Sequence, residues 1–487
     1  MDSESNYSFV LSEKGKDKLV YSGQVYYFHR HAMSNRTICG SLWVCERKST
    51  MRCPGKARLQ DDIVTITKAH NHEPSEVNEQ IARYNSFIKR KFEETIEPTN
   101  IILSNASAIL SPAAITRVPP IHHTKRRGQQ LRAKLNGALP DPKDRASIPH
   151  IPDKFQVTQM NKPFLRYDSG PESGNDRMLI FSSEEATDML AECNVLFGDG
   201  TFDSAPEIFY QLYVIGVYLR GYVFPCVYAL LPGKKKETYI ELFRQVSFLT
   251  NDKMCPTSFM MDFELAQKQA VEVIFPQAHI SACLFHLSQN ILKKVQDAHM
   301  IKLFRKDQSF SENCKMIAAI AFVPLDEVLN AFETLAAWEG LHEKIDPIMS
   351  FFEDSYVGSL QTRKRGRKRV QRKAPHFPQE FWNVHLRITE GLPRSNNHME
   401  AWNKGFKSQI MCENPNIWKL LEALQREESL HHQKLVNVRS GGLAGPKKKK
   451  KYLDLDAKLE ELATRFDSYD GNYVSYLRDV ALTINME

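Results

Sequence analysis

No stretch of this sequence stays apolar for the roughly 18 residues that a membrane-spanning helix requires, so nothing in it reads as a membrane span. The start, Met1-Asp2-Ser3-Glu4-Ser5, is acidic and polar, without the basic and apolar regions of a secretory signal. Cysteine is sparse: nine in 487 residues, an odd number scattered along a large chain. That usage argues against a disulfide framework and predicts an intracellular protein whose thiols are reduced or bound to a metal. A strong excess of charge is missing too, since 65 Lys+Arg stand against 58 Asp+Glu for a formal net charge of +7. The excess is gathered into short runs, a pattern that suits a polyanionic partner such as nucleic acid. No heptad seam fixes an oligomeric state.

What is present suffices for a large core: 42% of the residues are hydrophobic, 27 of them Phe, and the length predicts two to four domains. Residues 15 to 75 read as a small β-rich unit. Leu19-Val20-Tyr21, Val25-Tyr26-Tyr27-Phe28, Leu42-Trp43-Val44-Cys45 and Ile63-Val64-Thr65-Ile66-Thr67 are its strand-like runs. Cys45, Cys53, His70 and His72 follow the spacing C-x7-C-x16-H-x-H. Two thiolates and two imidazoles suit tetrahedral Zn²⁺, and a module this small draws much of its folding energy from the metal. The spacing is not that of the ββα finger, and the His-x-His pair is expected on an extended strand end, both rings on one face. Cys39 is left as a free thiol. The Leu, Tyr/Phe, Trp-x-Cys, second Cys and closing His-x-His, in that order, resemble the FLYWCH zinc finger. The resemblance implies a module that binds DNA or protein.

Residues 76 to 165 carry a helical stretch (Val77 to Ile96), then Pro119-Pro120 and Pro140-Asp141-Pro142. Between them stand Lys125, Arg126 and Arg127, with Arg132 and Lys134 beyond. They predict a helical linker with a basic face, either touching phosphates or merely soluble.

The rest is organised around Val195-Leu196-Phe197-Gly198-Asp199-Gly200-Thr201-Phe202, an apolar run that reaches a lone carboxylate. The expectation is a buried strand ending at Asp199 and holding it at the tip. Gln211 to Tyr218 and Val223 to Leu231 read as hairpin strands turned at Arg220-Gly221. A helix over Glu237 to Leu249 follows, then the strand Ser258-Phe259-Met260-Met261 before Asp262, a helix from Glu264 to Ile274, the strand His279 to Cys283, and a helix carrying His286. Three antiparallel strands followed by alternating helices and parallel strands describe an RNase H-like mixed sheet. In such a sheet the first and fourth strands lie side by side, bringing Asp199 and Asp262 together. Asn396-Asn397-His398-Met399-Glu400 puts a third acid near a helix start, with Glu264 and Glu390 as rivals for its role.

Asp-Gly-Thr-Phe at 199 to 202, Asp262, Phe275-Pro276, Cys283-Leu284-Phe285-His286 and Arg394 to Asn403 resemble, in order and spacing, the Mutator-like (MULE) transposase domain. The resemblance spans roughly residues 175 to 410. It implies metal-dependent cleavage and transfer of double-stranded DNA at transposon ends in the nucleus, by a homo-oligomer. Residue by residue it assigns Asp199, Asp262 and Glu400 as catalytic acids, and Cys283 and His286 as the Cys-x-x-His signature. Three carboxylates suit two Mg²⁺ or Mn²⁺ ions about 3.5–4 Å apart. On that reading Asp199 bridges both ions, and Asp262 and Glu400 each complete one. For Cys283 and His286, no partner pair close in sequence suggests a metal, so a structural or DNA-contacting role near the site is expected.

Between Asp262 and Glu400 lie 137 residues, more than a sheet needs. Val328, Phe332, Leu335, Trp338 and Leu341 at helical spacing predict an all-α insertion, with Trp338 in its core. Arg363, Lys364, Arg365, Arg367, Lys368 and Arg369 form the densest basic run, which suits DNA phosphates or a nuclear import signal. A helix from Ile417 to Leu435 is broken at Ser440-Gly441-Gly442, and Lys447 to Lys451 form a second import-like run ahead of one or two final helices. The predicted organisation is an α/β chain: finger 1–75, linker 76–165, RNase H-like core 166–299, all-α insertion with its basic segment 300–390, final core helix 391–412 and helical tail 413–487. The competing reading is a transposase-derived DNA-binding regulator without cleavage.

Overall fold

Six short runs build the amino-terminal sheet: β1 (Tyr7–Leu11), β2 (Asp17–Tyr21), β3 (Gln24–Ser34), β4 (Thr37–Cys45), β5 (Lys56–Gln60) and β6 (Ile63–Lys68). They pair antiparallel in chain order. Ser22 and Gly23 turn the β2–β3 hairpin with φ of 47° and 71°, the left-handed pair that tight hairpins require. The period of two sends Leu19, Tyr26, Trp43, Ala57 and Val64 to one buried face. β1 and β5 were not expected. Lys56 and Arg58 alternate with Ala57 and Leu59 in β5, and these charges hide its strand character in the sequence.

This computed structural model describes residues 7–12, 15–34, 37–95, 97–135, 139–362, 370–442 and 449–486. It divides into two units, Met1–Pro140 and Asp141–Glu487. In the first, α1 (Glu76–Glu94), α2 (Thr99–Ser107), α3 (Pro112–Ile115) and α4 (Ile121–Leu135) follow the sheet. Ser75 caps α1 by accepting from the Asn78 amide at 3.4 Å. Tyr84, Ile88 and Phe92 of α1 bury themselves against Ile102, Leu103 and Ala106 of α2. The other side of α1 lays Ala82 on Val10, Val20 and Val25 of the sheet.

In the second unit α5 (Asp153–Gln156), β7 (Leu165–Asp168), β8 (Leu179–Phe181) and α6 (Glu184–Glu192) come before β9 (Val195–Thr201), β10 (Gln211–Leu219) and β11 (Tyr222–Leu231). Next stand α7 (Lys236–Leu249), β12 (Ser258–Met261), α8 (Leu265–Ile274), β13 (His279–Ala282) and α9 (Leu284–Asp297). The seven strands form one sheet in the order β13-β12-β9-β10-β11-β8-β7. β9, β10 and β11 are antiparallel neighbours, while β12 runs parallel to β9 and to β13. The first and fourth strands of the expected core are thus adjacent. β10 and β11 are buried almost throughout, because helices cover both faces, and their sequences are accordingly continuous apolar runs.

Helices then dominate: α10 (Ile301–Lys306), α11 (Gln308–Ala319), α12 (Val328–Ala336) and α13 (Asp346–Phe352), the small pair β14 (Leu360–Thr362) and β15 (Val370–Arg372), then α14 (Gln379–Trp382) and α15 (His385–Thr389). After them come α16 (Asn397–Ile410), α17 (Ile417–Arg439), α18 (Lys450–Thr464) and α19 (Tyr473–Thr483). The tail closes the insertion: the Tyr476 hydroxyl donates to the Phe322 carbonyl at 2.8 Å and Arg478 pairs with Glu312 at 2.8 Å. Trp338 lies at the edge of this core, with the Arg478 guanidinium 5.1 Å from its ring centre. The whole is an amino-terminal curled β-sheet followed by a mixed α/β region with helical insertions. Among the described residues, no helix is long and apolar enough to cross a membrane.

Candidate functional site

Two clusters of chemistry-bearing side chains stand out, and the first is in the curled sheet. Cys45 ends β4, Cys53 lies in the loop before β5, and His70 and His72 lie just beyond β6. The expectation that the histidines sit on an extended strand end does not hold, since β6 ends at Lys68. The chain bends at Asn71 and His72, and this bend, not a pleat, turns both rings inward. Cys45 Sγ is 3.2 Å from His72 Nε2, Cys53 Sγ is 3.4 Å from His70 Nδ1, and the two facing ring nitrogens are 3.4 Å apart. Zinc bonds of about 2.0–2.3 Å imply tetrahedral edges of about 3.3–3.8 Å, which these separations approach. Each donor has its own support. The Arg47 and Gly55 amides donate to the two sulfurs, both at 3.3 Å. The buried Tyr26 hydroxyl holds His70 Nε2 at 2.8 Å, and the Glu73 carbonyl lies 3.0 Å from His72 Nδ1. Those contacts leave the inward nitrogens free for a ligand. Burial, together with Cys53, pushes the Cys45 thiol up to about 11 against the pull of the Arg47 amide, so a bound cation is what would keep Cys45 as a thiolate. The residues fit a structural Zn²⁺ site.

The second cluster is at the centre of the large sheet. β9 does not end at Asp199; it continues to Thr201, and Asp199 pairs with Val214 inside the strand. Pairing with β10 carries the strand on, leaving Asp199 5% exposed. The flanking glycines make room: a Cβ on Gly198 would come within 2.0 Å of the Tyr213 hydroxyl, and one on Gly200 within 2.2 Å of Gln211 Oε1. Asp262 follows the last residue of the adjacent β12. Glu400 sits in the first turn of α16. Three contacts steer that helix here across more than a hundred residues. The Leu284 amide donates to the Arg394 carbonyl at 3.1 Å, and the Asn396 amide donates to Cys283 Sγ at 3.1 Å. Buried Arg387 spans the Ser258 hydroxyl of β12 and the Pro393 carbonyl, at 2.8 Å and 2.6 Å.

His286, in the first turn of α9, lies between two of the acids. Its Nδ1 is 2.9 Å from Asp262 Oδ1, and its Nε2 is 3.9 Å from Glu400 Oε1. Asp262 and, to a lesser degree, Cys283 outweigh the burial of the imidazole and lift its pKa to about 11. Asp199 is pushed up to about 8, first by burial and then by the charges of Asp262 and Glu400, while His286 and Asn403 work against that. Burial likewise raises Glu400. Among the described residues, the three carboxylates do not converge into one ligand set; the compact group here is Cys283, His286 and Glu400, whose ligand atoms lie within 4.8 Å of one another. No residue close in sequence joins Cys283 and His286; the fold brings Glu400 to them from α16. Of its rivals, Glu264 faces Tyr239 and Lys234 and Glu390 is exposed. Sequence reasoning gave Asn403 no role. Its Nδ2 donates to Asp199 Oδ2 at 2.6 Å, and the signal was there in its position, one helical turn after Glu400.

The basic residues divide. Arg126 and Arg127 are exposed on α4 and Lys125 is half-buried. Arg132 belongs to no basic face: its guanidinium lies 5.0 Å over the Phe92 ring and donates to the Thr95 and Glu97 carbonyls, both at 2.8 Å. Arg363, Lys364, Arg365, Arg367, Lys368 and Arg369 lie outside the described residues, as do Lys447 and Lys448. Cys39 is a free thiol that accepts from Arg58 at 3.3 Å.

No curated protein matches the chain. Two families do: residues 9–72 match the FLYWCH zinc finger domain and residues 195–290 match the MULE transposase domain. The first span contains all four finger ligands, and the second contains Asp199, Asp262, Cys283 and His286 but stops short of Glu400. With a zinc-type cluster inside one match and the paired strands inside the other, the chain carries an amino-terminal FLYWCH zinc finger domain and a MULE transposase domain, the make-up of a DNA-binding protein.

Proposed function

We propose that this protein is a MULE-type transposase that cleaves and transfers DNA strands at transposon ends in the nucleus, as a homo-oligomer, its finger aiding recognition of the DNA. The observation that carries the reading is the meeting of α16 with Asp199 inside β9, and, through His286, with Asp262 just past the adjacent β12, in a sheet whose order β11-β10-β9-β12-β13 agrees with an RNase H-like core. Asp199, Asp262 and Glu400 would hold divalent cations there, and their donor chemistry fits. Glu400 Oε1 and Asn403 Oδ1 are hard oxygen atoms buried without a hydrogen-bond partner, and Asp262 Oδ1 has His286 Nδ1 at 2.9 Å. Bound Mg²⁺ or Mn²⁺ would activate the attacking oxygen and stabilise the leaving one. The chain's own part is positional. Asn403 fixes the Asp199 carboxylate, Lys407 ties α16 to Asp203 at 2.7 Å, and His286 offsets the charge of Asp262 and Glu400. Lys125, Arg126, Arg127 and the basic run from Arg363 to Arg369 would supply phosphate contacts that weaken as salt rises.

A second reading, a DNA-binding regulator descended from such an enzyme, is favoured by the separation of the three carboxylates and by the imidazole already seated between Asp262 and Glu400. The test is purified protein with duplex DNA carrying the element's ends, in Ca²⁺ and in Mn²⁺, followed for binding and cleavage together. Binding in both ions with cutting only in Mn²⁺, lost in Asp199→Asn, supports the transposase. Binding with no cutting in either ion sinks it and leaves the regulator.

A further inference from the structure

We propose that Cys283, His286 and Glu400 form a second zinc site, separate from the finger, with three protein ligands and an open fourth position. Cys283 is the N-cap of α9 and His286 lies in its first turn, three residues on, so both side chains leave the same side of the helix start. Glu400 comes from the first turn of α16, and one ligand atom from each of the three lies within 4.8 Å of the others. Two helix N-termini therefore meet at this point, and both favour anionic ligands such as a thiolate and a carboxylate.

The surroundings are those of a metal site rather than of a packed core. Cys283 Sγ is fully buried and accepts the Asn396 amide at 3.1 Å, a contact that stabilises a thiolate. His286 comes within 2.9 Å of Asp262 at Nδ1 and turns Nε2 towards Glu400, so a metal that takes Nε2 in place of its proton leaves Asp262 beside the other ring nitrogen. Glu400 Oε1 is buried with no hydrogen-bond partner, an unmet acceptor that a cation would satisfy. A sulfur, a nitrogen and an oxygen donor select a borderline-soft ion over Mg²⁺, and three protein ligands leave room for a water or a phosphate oxygen. The inference does not rest on transposase activity. If that activity exists, Zn²⁺ here draws Glu400 away from the oxygen-ligand set and inhibits cleavage.

The experiment counts metal. Full-length protein equilibrated with buffered Zn²⁺ should hold two ions per chain by elemental analysis. Cys283→Ser and His286→Gln should each hold one, Cys45→Ser should hold one, and Cys45→Ser combined with Cys283→Ser none. Co²⁺ in full-length Cys45→Ser/Cys53→Ser protein should show a thiolate charge-transfer band that Cys283→Ser removes. Should Cys283→Ser fail to fold, Glu400→Gln in the same background, losing the tight Co²⁺ spectrum, carries the test. A single zinc per chain that Cys283→Ser retains, or two that it retains, overturns the proposal.

Discussion

The two clusters of this molecule differ in how their donors are held. In the finger, two thiols and two imidazoles face one another at 3.2 to 3.4 Å, each fixed from behind by a hydroxyl, a carbonyl or an amide. In the large sheet, three carboxylates share one region, and packing them together unaided would cost charge repulsion in a buried setting. There the structure inserts His286 between two acids and gives the third to Asn403. A soft-donor site can be drawn closed by short local loops. An oxygen-rich site has to be held open by other parts of the chain.

The comparison breaks first, and most violently, at the finger. Replacing Cys53 with Ser should leave the curled sheet unfolded, because structural zinc is worth about 10–16 kcal/mol in small modules. Limited proteolysis should cut within residues 7–72 while β9 to β13 stay protected; protection of both, or loss of both, contradicts the contrast. At the sheet site the expected loss is smaller. Asn403→Ala strips the buried Asp199 of its amide and should lower unfolding free energy by about 1–3 kcal/mol, read from urea midpoints. Unchanged midpoints would mean that Asp199 finds another partner.

Tyr26→Phe probes the finger's outer support. Zinc affinity should fall by about 10–100-fold, measured by competition with a chelator, while the sheet persists in excess metal. The smallest effect concerns Glu427, which anchors α16 by accepting from Trp402 Nε1 at 2.8 Å and Gln409 Nε2 at 2.7 Å. Burial alone would raise its pKa, but His431 and those two donors together bring it below the ordinary value of 4.5. A depressed carboxylate adds stability above its unfolded value and gives it up as pH falls through the folded one. Wild type should therefore lose about 1 kcal/mol more than Glu427→Gln between neutral pH and about pH 4. Parallel pH profiles of the two proteins would show that the network contributes nothing.

Sequence reading did well where chemistry and spacing are local. The finger's ligands were legible because a Cys-x7-Cys and a His-x-His flank strands with a clear period of two. The hairpin at Arg220-Gly221 was legible for a similar reason: both residues have positive φ, at 51° and 83°. It failed where pairing partners decide. Nothing in Gly198-Asp199-Gly200 tells whether the strand stops at the acid or runs on; β10, by pairing with Thr201, settles it. Arg132 read as one more surface cation until the carbonyls at Thr95 and Glu97 turned it inward.

By itself, then, the sequence determined the inventory: the zinc-type donors, the apolar strands that hold Asp199 and lead to Asp262, and the helical nature of residues 300 to 355. These follow from side-chain chemistry and from periods of two and 3.6 residues, which neighbours in the chain suffice to express. Tertiary structure alone decided that Glu400, not Glu390, reaches the sheet, that His286 stands between Asp262 and Glu400, and that Glu400 comes close to Cys283. Each of those depends on contacts across a hundred residues or more, such as Asn396 to Cys283, whose geometry is set by the packing of whole helices rather than by any local pattern.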